Sequence, residues 1–142
     1  MEVGNWERSF IEQRRVARLA TVDRQDRPHL VPIVYAFDGQ RLFTPIDAKP
    51  KRVGPHRLQR VRNIQANPHV AVIVDEYRED WRKLAWVQIR GLAAFVESGA
   101  QQATGVALLE AKYPQYRTMP LAERPIIVIS LNHIASWREA DE

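Results

Sequence analysis

Most of the chain alternates apolar and polar positions or runs in short apolar blocks, and a helical period replaces that pattern in three places. In "NWERSFIEQRR" the residues Trp6, Phe10 and Ile11 fall on one face of a short helix that Asn5 is placed to cap. "VARLATVD", "PHLVPIVYAFD" and "QRLFTPI" follow, rich in β-branched and aromatic residues and separated by the polar turn "RQDR" and by Asp38-Gly39, a strong hairpin signal. They predict an antiparallel meander. Pro28 and Pro32 suit a strand start, an edge or a bulge, since neither can donate a ladder hydrogen bond.

From Arg57 to Asn67 the residues Leu58, Val61 and Ile64 recur at helical spacing until Pro68 stops the pattern. "HVAVIVDEY" and "LAWVQIRGLAAFVE" predict two more strands joined by the charged turn around "REDW". Ser98 and Gln101 form a capping box ahead of a helix over roughly residues 99–112, and "IIVISL" and "HIASW" predict a final pair of strands. Strands outnumber helices and no βαβ alternation occurs, so the expected architecture is a closed or nearly closed antiparallel barrel with a few covering helices.

The 142 residues are 45% apolar, enough for one core and one domain. No apolar run reaches the length of a membrane span, and the start "MEVGNWERSF" lacks the layout of a secretory signal, so a soluble cytoplasmic protein is expected. With no cysteine, a thiolate nucleophile or a disulfide is excluded, and redox chemistry would need a cofactor.

Charge is unevenly placed. Lys49, Lys51, Arg52, Arg57, Arg60 and Arg62 lie in "KPKRVGPHRLQRVRNI", and no acidic residue occurs from 48 to 74. The chain carries 21 Lys and Arg against 17 Asp and Glu, so without those six its acidic residues would be in excess. A local anionic ligand suits this better than a broad nucleic-acid footprint, and no aromatic residues interleave with the arginines to stack bases. Arg57, Arg60 and Asn63 share one flank of the predicted helix, and Gly54-Pro55 fixes the turn before it. Guanidinium forks and helix-start N–H groups there point to a phosphate site.

Other chemistries lack their residues. There is no GxGxxG, P-loop or GxSxG; His29, His56, His69 and His133 have no metal-ligand spacing. Asp23 with Asp26, and Asp75 with Glu76, sit at turns or strand ends where carboxylates meet water.

Taken together, "RVARLATVDRQDRPHLVPIVYAFDG", "KPKRVGPHRLQRVRNIQANPHVAVIVD" and "DWRKLAWVQIRG" resemble the split β-barrel proteins related to pyridoxamine phosphate oxidase, in particular the branch using the deazaflavin coenzyme F420. The resemblance implies a mainly β fold, a six-stranded antiparallel split β-barrel with a few short helices, working as a homodimer. Carried over by position, Thr21 and the strand from His29 through Pro32 to Ile33 line the cofactor ring. Phe43 and Thr44 approach the phosphate, and Arg60 with Asn63 holds it. Trp86 and Val87 reach the ring bound by the partner subunit.

F420 also carries a string of glutamates, for which Lys49, Lys51, Arg52 and Arg57 supply charge. FMN is the alternative cofactor, but the second strand lacks the basic side chains that flavin-binding relatives commonly place there. The end "SWREADE" lacks the motif that closes the substrate site of true pyridoxamine phosphate oxidases. The resemblance thus implies hydride transfer to a planar electron-poor acceptor such as a tetrapyrrole, a quinone or a nitroaromatic, with no catalytic side chain required. Trp86, Tyr77 or Trp81 would wall the acceptor and Arg18 or Arg90 orient it. A haem- or tetrapyrrole-binding module, with His29 or His69 on the iron, remains open.

Overall fold

The structure is a computed structural model and describes residues 2–46 and 58–139. Seven strands, β1 (Ala17–Val22), β2 (Pro28–Ile33), β3 (Ala36–Phe37), β4 (Arg41–Pro45), β5 (His69–Glu76), β6 (Ala85–Val96) and β7 (Ile126–Arg138), accompany three helices, α1 (Asn5–Gln13), α2 (Gln59–Ala66) and α3 (Ala100–Lys112). The strands form one antiparallel sheet in the order β2-β1-β5-β6-β7-β4-β3.

β2 and β3 are therefore the two edges of the sheet, yet only Val34 and Tyr35 separate them in the chain. So short a link spans roughly 10 Å. The sheet has to curl until its edges nearly meet, which makes it a half-barrel with a seam, the split barrel that the resemblance implied. The strand count is corrected from six to seven. "PHLVPIVYAFD" breaks at Val34-Tyr35 into strands on opposite edges, while the two expected C-terminal strands are one, β7, running through an irregularity opposite Arg90 and Gly91.

Strand alternation sends Leu19, Val72, Ile89 and Ile129 into the barrel, where Phe10 and Ile11 of α1 and Val61 and Ile64 of α2 close the core. A second cluster lies on the other face of the sheet. There Phe43 and Val128 pack with Val106 and Leu109 of α3. α3 approaches closely because Gly105 has no side chain: a Cβ there would meet Phe43 Cδ1 at 2.7 Å. Among the described residues no helix is long and apolar enough to cross a membrane.

Two expected caps are displaced. Gly4, not Asn5, occupies the cap position of α1, and Gly99, not Ser98, that of α3; neither end has a side-chain cap hydrogen bond. Gly99 enters α3 at φ +102, a conformation open to glycine, so the helix begins beyond the Ser98 box. Other local signals hold. Asp38 accepts from the backbone N–H of Gln40 at 2.9 Å and of Arg41 at 2.7 Å, with Gly39 at φ +98 between β3 and β4. Pro28 opens β2, and β2 is an edge strand, where a missing N–H on the free side costs no ladder bond.

The end of α3 is tied to the start of the barrel by Lys112. Its Nζ donates to the carbonyl of Arg14 at 2.6 Å and lies 4.0 Å over the Tyr35 ring. Burial, with help from the Arg15 charge, lowers its pKa to about 8 from the ordinary 10.5. Between those values the unfolded chain holds a proton that the folded one has released, so this residue makes stability rise with pH.

Two outcomes follow. Gly91→Ala would set a Cβ 2.3 Å from the backbone oxygen of Ser130, so urea unfolding should show a loss of about 1–3 kcal/mol; an unchanged midpoint would remove the close β6–β7 approach. Lys112→Met should flatten the increase in Tm between about pH 8 and 10 that Lys112 gives the unmodified protein. Parallel Tm profiles for the two proteins would show that the buried ammonium does not titrate in that window.

Candidate functional site

The seam where the sheet edges approach opens into a cleft of about 820 Å³, a size that suits an organic cofactor with a small substrate. Pro32, Ile33 and Val34, where the chain leaves β2, contribute to its lining, as do Thr44 and Pro45 at the end of β4. α2 adds Arg60, the α1–β1 junction adds Arg15 and Val16, and the connection after α3 adds Tyr113, Pro114, Gln115, Tyr116 and Met119. The cleft thus combines an apolar wall, two guanidinium groups and the Thr44 hydroxyl. Among the described residues its lining includes no carboxylate or imidazole. Guanidinium groups beside an apolar wall are chemically suited to a ligand that joins an anionic group to an apolar body.

Tyr113 fixes the cleft wall. Its hydroxyl accepts the backbone N–H of Tyr35 at 3.2 Å and lies within donating distance of the carbonyls of Arg15, 2.8 Å, and Tyr35, 3.0 Å. Burial raises its pKa, so it stays a neutral hydroxyl able to do both. Arg15 lies over the Tyr113 ring, 5.3 Å from its centre, and its Nη1 donates to the carbonyl of Lys112 at 2.6 Å. The residues linking the two sheet edges, the start of the barrel and the end of α3 are thereby held together.

The structure brings Pro32, Ile33, Thr44 and Arg60 to one cleft from three elements, β2, β4 and α2. Other candidates lie elsewhere. Asn63 and Thr21, 2% and 1% exposed, bond to each other, Nδ2 to Oγ1, at 2.9 Å, and Asn63 Oδ1 accepts from Gln59 at 2.6 Å. That pair anchors α2 to β1. His29, opposite Thr21 in the β1–β2 register, is half-buried, with Nδ1 enclosed and without a hydrogen-bond partner. Phe43 is buried against α3 on the other face of the sheet. Val87 is fully buried in the barrel core, while its neighbour Trp86 is exposed on the outer face, paired in register with Trp137.

Tyr77 and Trp81 are exposed on the β5–β6 connection, and Arg18 is exposed beside Asp75, 3.6 Å away. None of these lines the cleft. Lys49, Lys51, Arg52 and Arg57 lie outside the described residues. Sequence reasoning missed Arg15, Val34, Tyr113, Gln115, Tyr116 and Met119. The one local signal was "YPQYRTMP", a Tyr-Pro stop followed by a second tyrosine, which reads as a loop until the fold places it at the seam.

The fold is similar to that of a conserved hypothetical protein from Mycobacterium tuberculosis, with a TM-score of 0.77 and 20% identity over 96% of this chain and 86% of that one. It is similar to HutZ, the haem storage protein of Vibrio cholerae, with a TM-score of 0.72 and 16% identity over 98% and 96%. A third similar structure is an F420 reductase, with a TM-score of 0.68 and 26% identity over 94% and 98%. No curated protein sequence matches the chain. The family model described as pyridoxamine 5'-phosphate oxidase matches residues 7–138, nearly the whole curled sheet and its helices, and the chain belongs to that family.

Proposed function

We propose that this protein is an F420-dependent reductase acting on a planar, electron-poor acceptor such as a tetrapyrrole, a quinone or a nitroaromatic. The observation that carries the reading is the seam cleft: an apolar strand wall beside Arg60 and Thr44, in a space of about 820 Å³. The likeness to an F420 reductase at 26% identity supports it. When bound, the reduced deazaflavin supplies the hydride. Pro32, Ile33 and Val34 give the ring a flat surface, Arg60 and Thr44 hold the phosphate, and the Tyr113–Tyr116 segment excludes water from the other ligand. Lys49, Lys51, Arg52 and Arg57 meet the acidic tail.

The protein works as a homodimer in the cytoplasm. The outer face of the sheet exposes Leu30, Trp86, Leu92 and Trp137, 65%, 37%, 40% and 42% accessible, large apolar side chains that a second copy would take out of water. A second copy covers it and brings Trp86 to the partner's cleft. Fluorescence titration against F420 and FMN tests the cofactor: quenching by F420 alone supports the reading, and quenching by FMN alone replaces it with a flavin protein of the same fold. The enclosed Nδ1 of His29, together with the likeness to a haem storage protein, favours haem as a further reading. A Soret band that disappears in His29→Ala or His69→Ala would establish it over the reductase.

Arg60→Ala should weaken F420 binding by about 1.5–3 kcal/mol with little change in Tm. Asn63→Ala should do the reverse, lowering the unfolding free energy by about 1–3 kcal/mol because Thr21 loses its buried partner. Unchanged affinity in the first variant would take Arg60 out of the phosphate site. Leu92→Glu should move the mass seen by light scattering from dimer to monomer; a dimer that survives both this change and Leu30→Glu uses some other surface.

A further inference from the structure

A second cavity, of about 450 Å³, lies between the β1–β2 turn and α2, and shares no lining residue with the seam cleft. Its lining includes Asp23, Arg24, Arg27, Gln59, Arg62 and Gln65. Among the described residues Asp23 is its one carboxylate, and it is already committed. Oδ1 accepts the backbone N–H groups of Gln25 at 2.8 Å and Arg27 at 3.0 Å, while Oδ2 takes Arg27 Nε at 2.8 Å. Those bonds, the Arg27 backbone first, hold its carboxyl below the ordinary range.

Arg24 and Arg62 are left without an ion pair or side-chain hydrogen bond among the described residues, although they come from separate elements and border one concavity. No acidic residue from 48 to 74 is available to neutralise them. The supports are rigid: the buried Asn63–Thr21 bond fixes α2 on β1, and Asp23 fixes the turn that carries Arg24. At about 100° per residue, Arg62 points roughly 160° around α2 from Arg60, so the helix divides two cationic sites.

We propose that this pocket binds an oligoanion, a short chain of carboxylates or phosphates held between Arg24 and Arg62 with the Gln65 amide as a further donor. Two guanidinium groups bordering one cavity repel unless an anion bridges them, and bidentate geometry favours carboxylate and phosphate oxygens. Two sources carry this chemistry. One is the acidic tail of a coenzyme seated in the seam cleft, which rests on the reductase reading; the other is a separate oligoanion, which does not.

The test is calorimetric titration of the full chain at low salt with tripolyphosphate and with triglutamate, comparing the unmodified protein, Arg24→Ala/Arg62→Ala and Arg60→Ala. The expected result is saturable binding that falls at least about tenfold in the double variant, survives in Arg60→Ala and weakens as salt is added. Both arginines are exposed, so an unchanged Tm will show that the double variant folds. Equal binding in the double variant, loss in Arg60→Ala, or no saturable binding to the unmodified protein would overturn the proposal. Displacement of tripolyphosphate by F420 with a long glutamate tail, but not by the tail-less form, identifies the coenzyme as the source; displacement by neither identifies a separate oligoanion. If F420 fails to bind at all, the reductase reading falls, while the pocket is still judged by the tripolyphosphate titration.

Discussion

The short link between β2 and β3 constrains the whole molecule. Two residues, Val34 and Tyr35, join strands at opposite edges of a seven-stranded sheet, so the sheet cannot lie flat. Curling gives the strands an inside, which the alternation of Leu19, Val72, Ile89 and Ile129 fills, and leaves a seam between edges that do not pair. The cleft is that seam, widened where β2 and β4 end and walled by the chain leaving α3. Tyr113 matters in proportion, because one hydroxyl ties the link itself to the start of the barrel. Lys112 adds a second tie beside it, at the cost of keeping an ammonium partly out of water.

The two cavities are set by this frame and by the charge on α2. That helix buries Val61 and Ile64 while Asn63 spends its amide on Thr21, leaving the alternate positions Arg60 and Arg62 to face different cavities. Among the described residues the seam lining offers apolar surface and two guanidinium groups.

Much of the frame was legible because strand and turn signals are local. Asp38-Gly39, the "RQDR" turn and the prolines of β2 each act within a few residues, and each performs as its chemistry requires. The strand count was not, since whether "PHLVPIVYAFD" stays whole depends on which distant edge its second half joins. Site residues followed the same division. Pro32, Ile33, Thr44 and Arg60 sit on elements whose order the sequence displays, whereas Arg15, Tyr116 and Met119 reach the cleft only through the docking of α3. Phe43 and Val87 show the parity problem: in a strand, one step changes which face a side chain occupies, and only the folded register decides it.

Pro32 has two duties that are easily separated on paper and not in the molecule. A free sheet edge invites a foreign strand to add to it, and a residue with no amide hydrogen on that side denies the newcomer a bond. The same ring lines the seam cleft. Replacing it to make room for a bulkier guest would restore the missing donor, so resculpting the recess also weakens the chain's protection against aggregation.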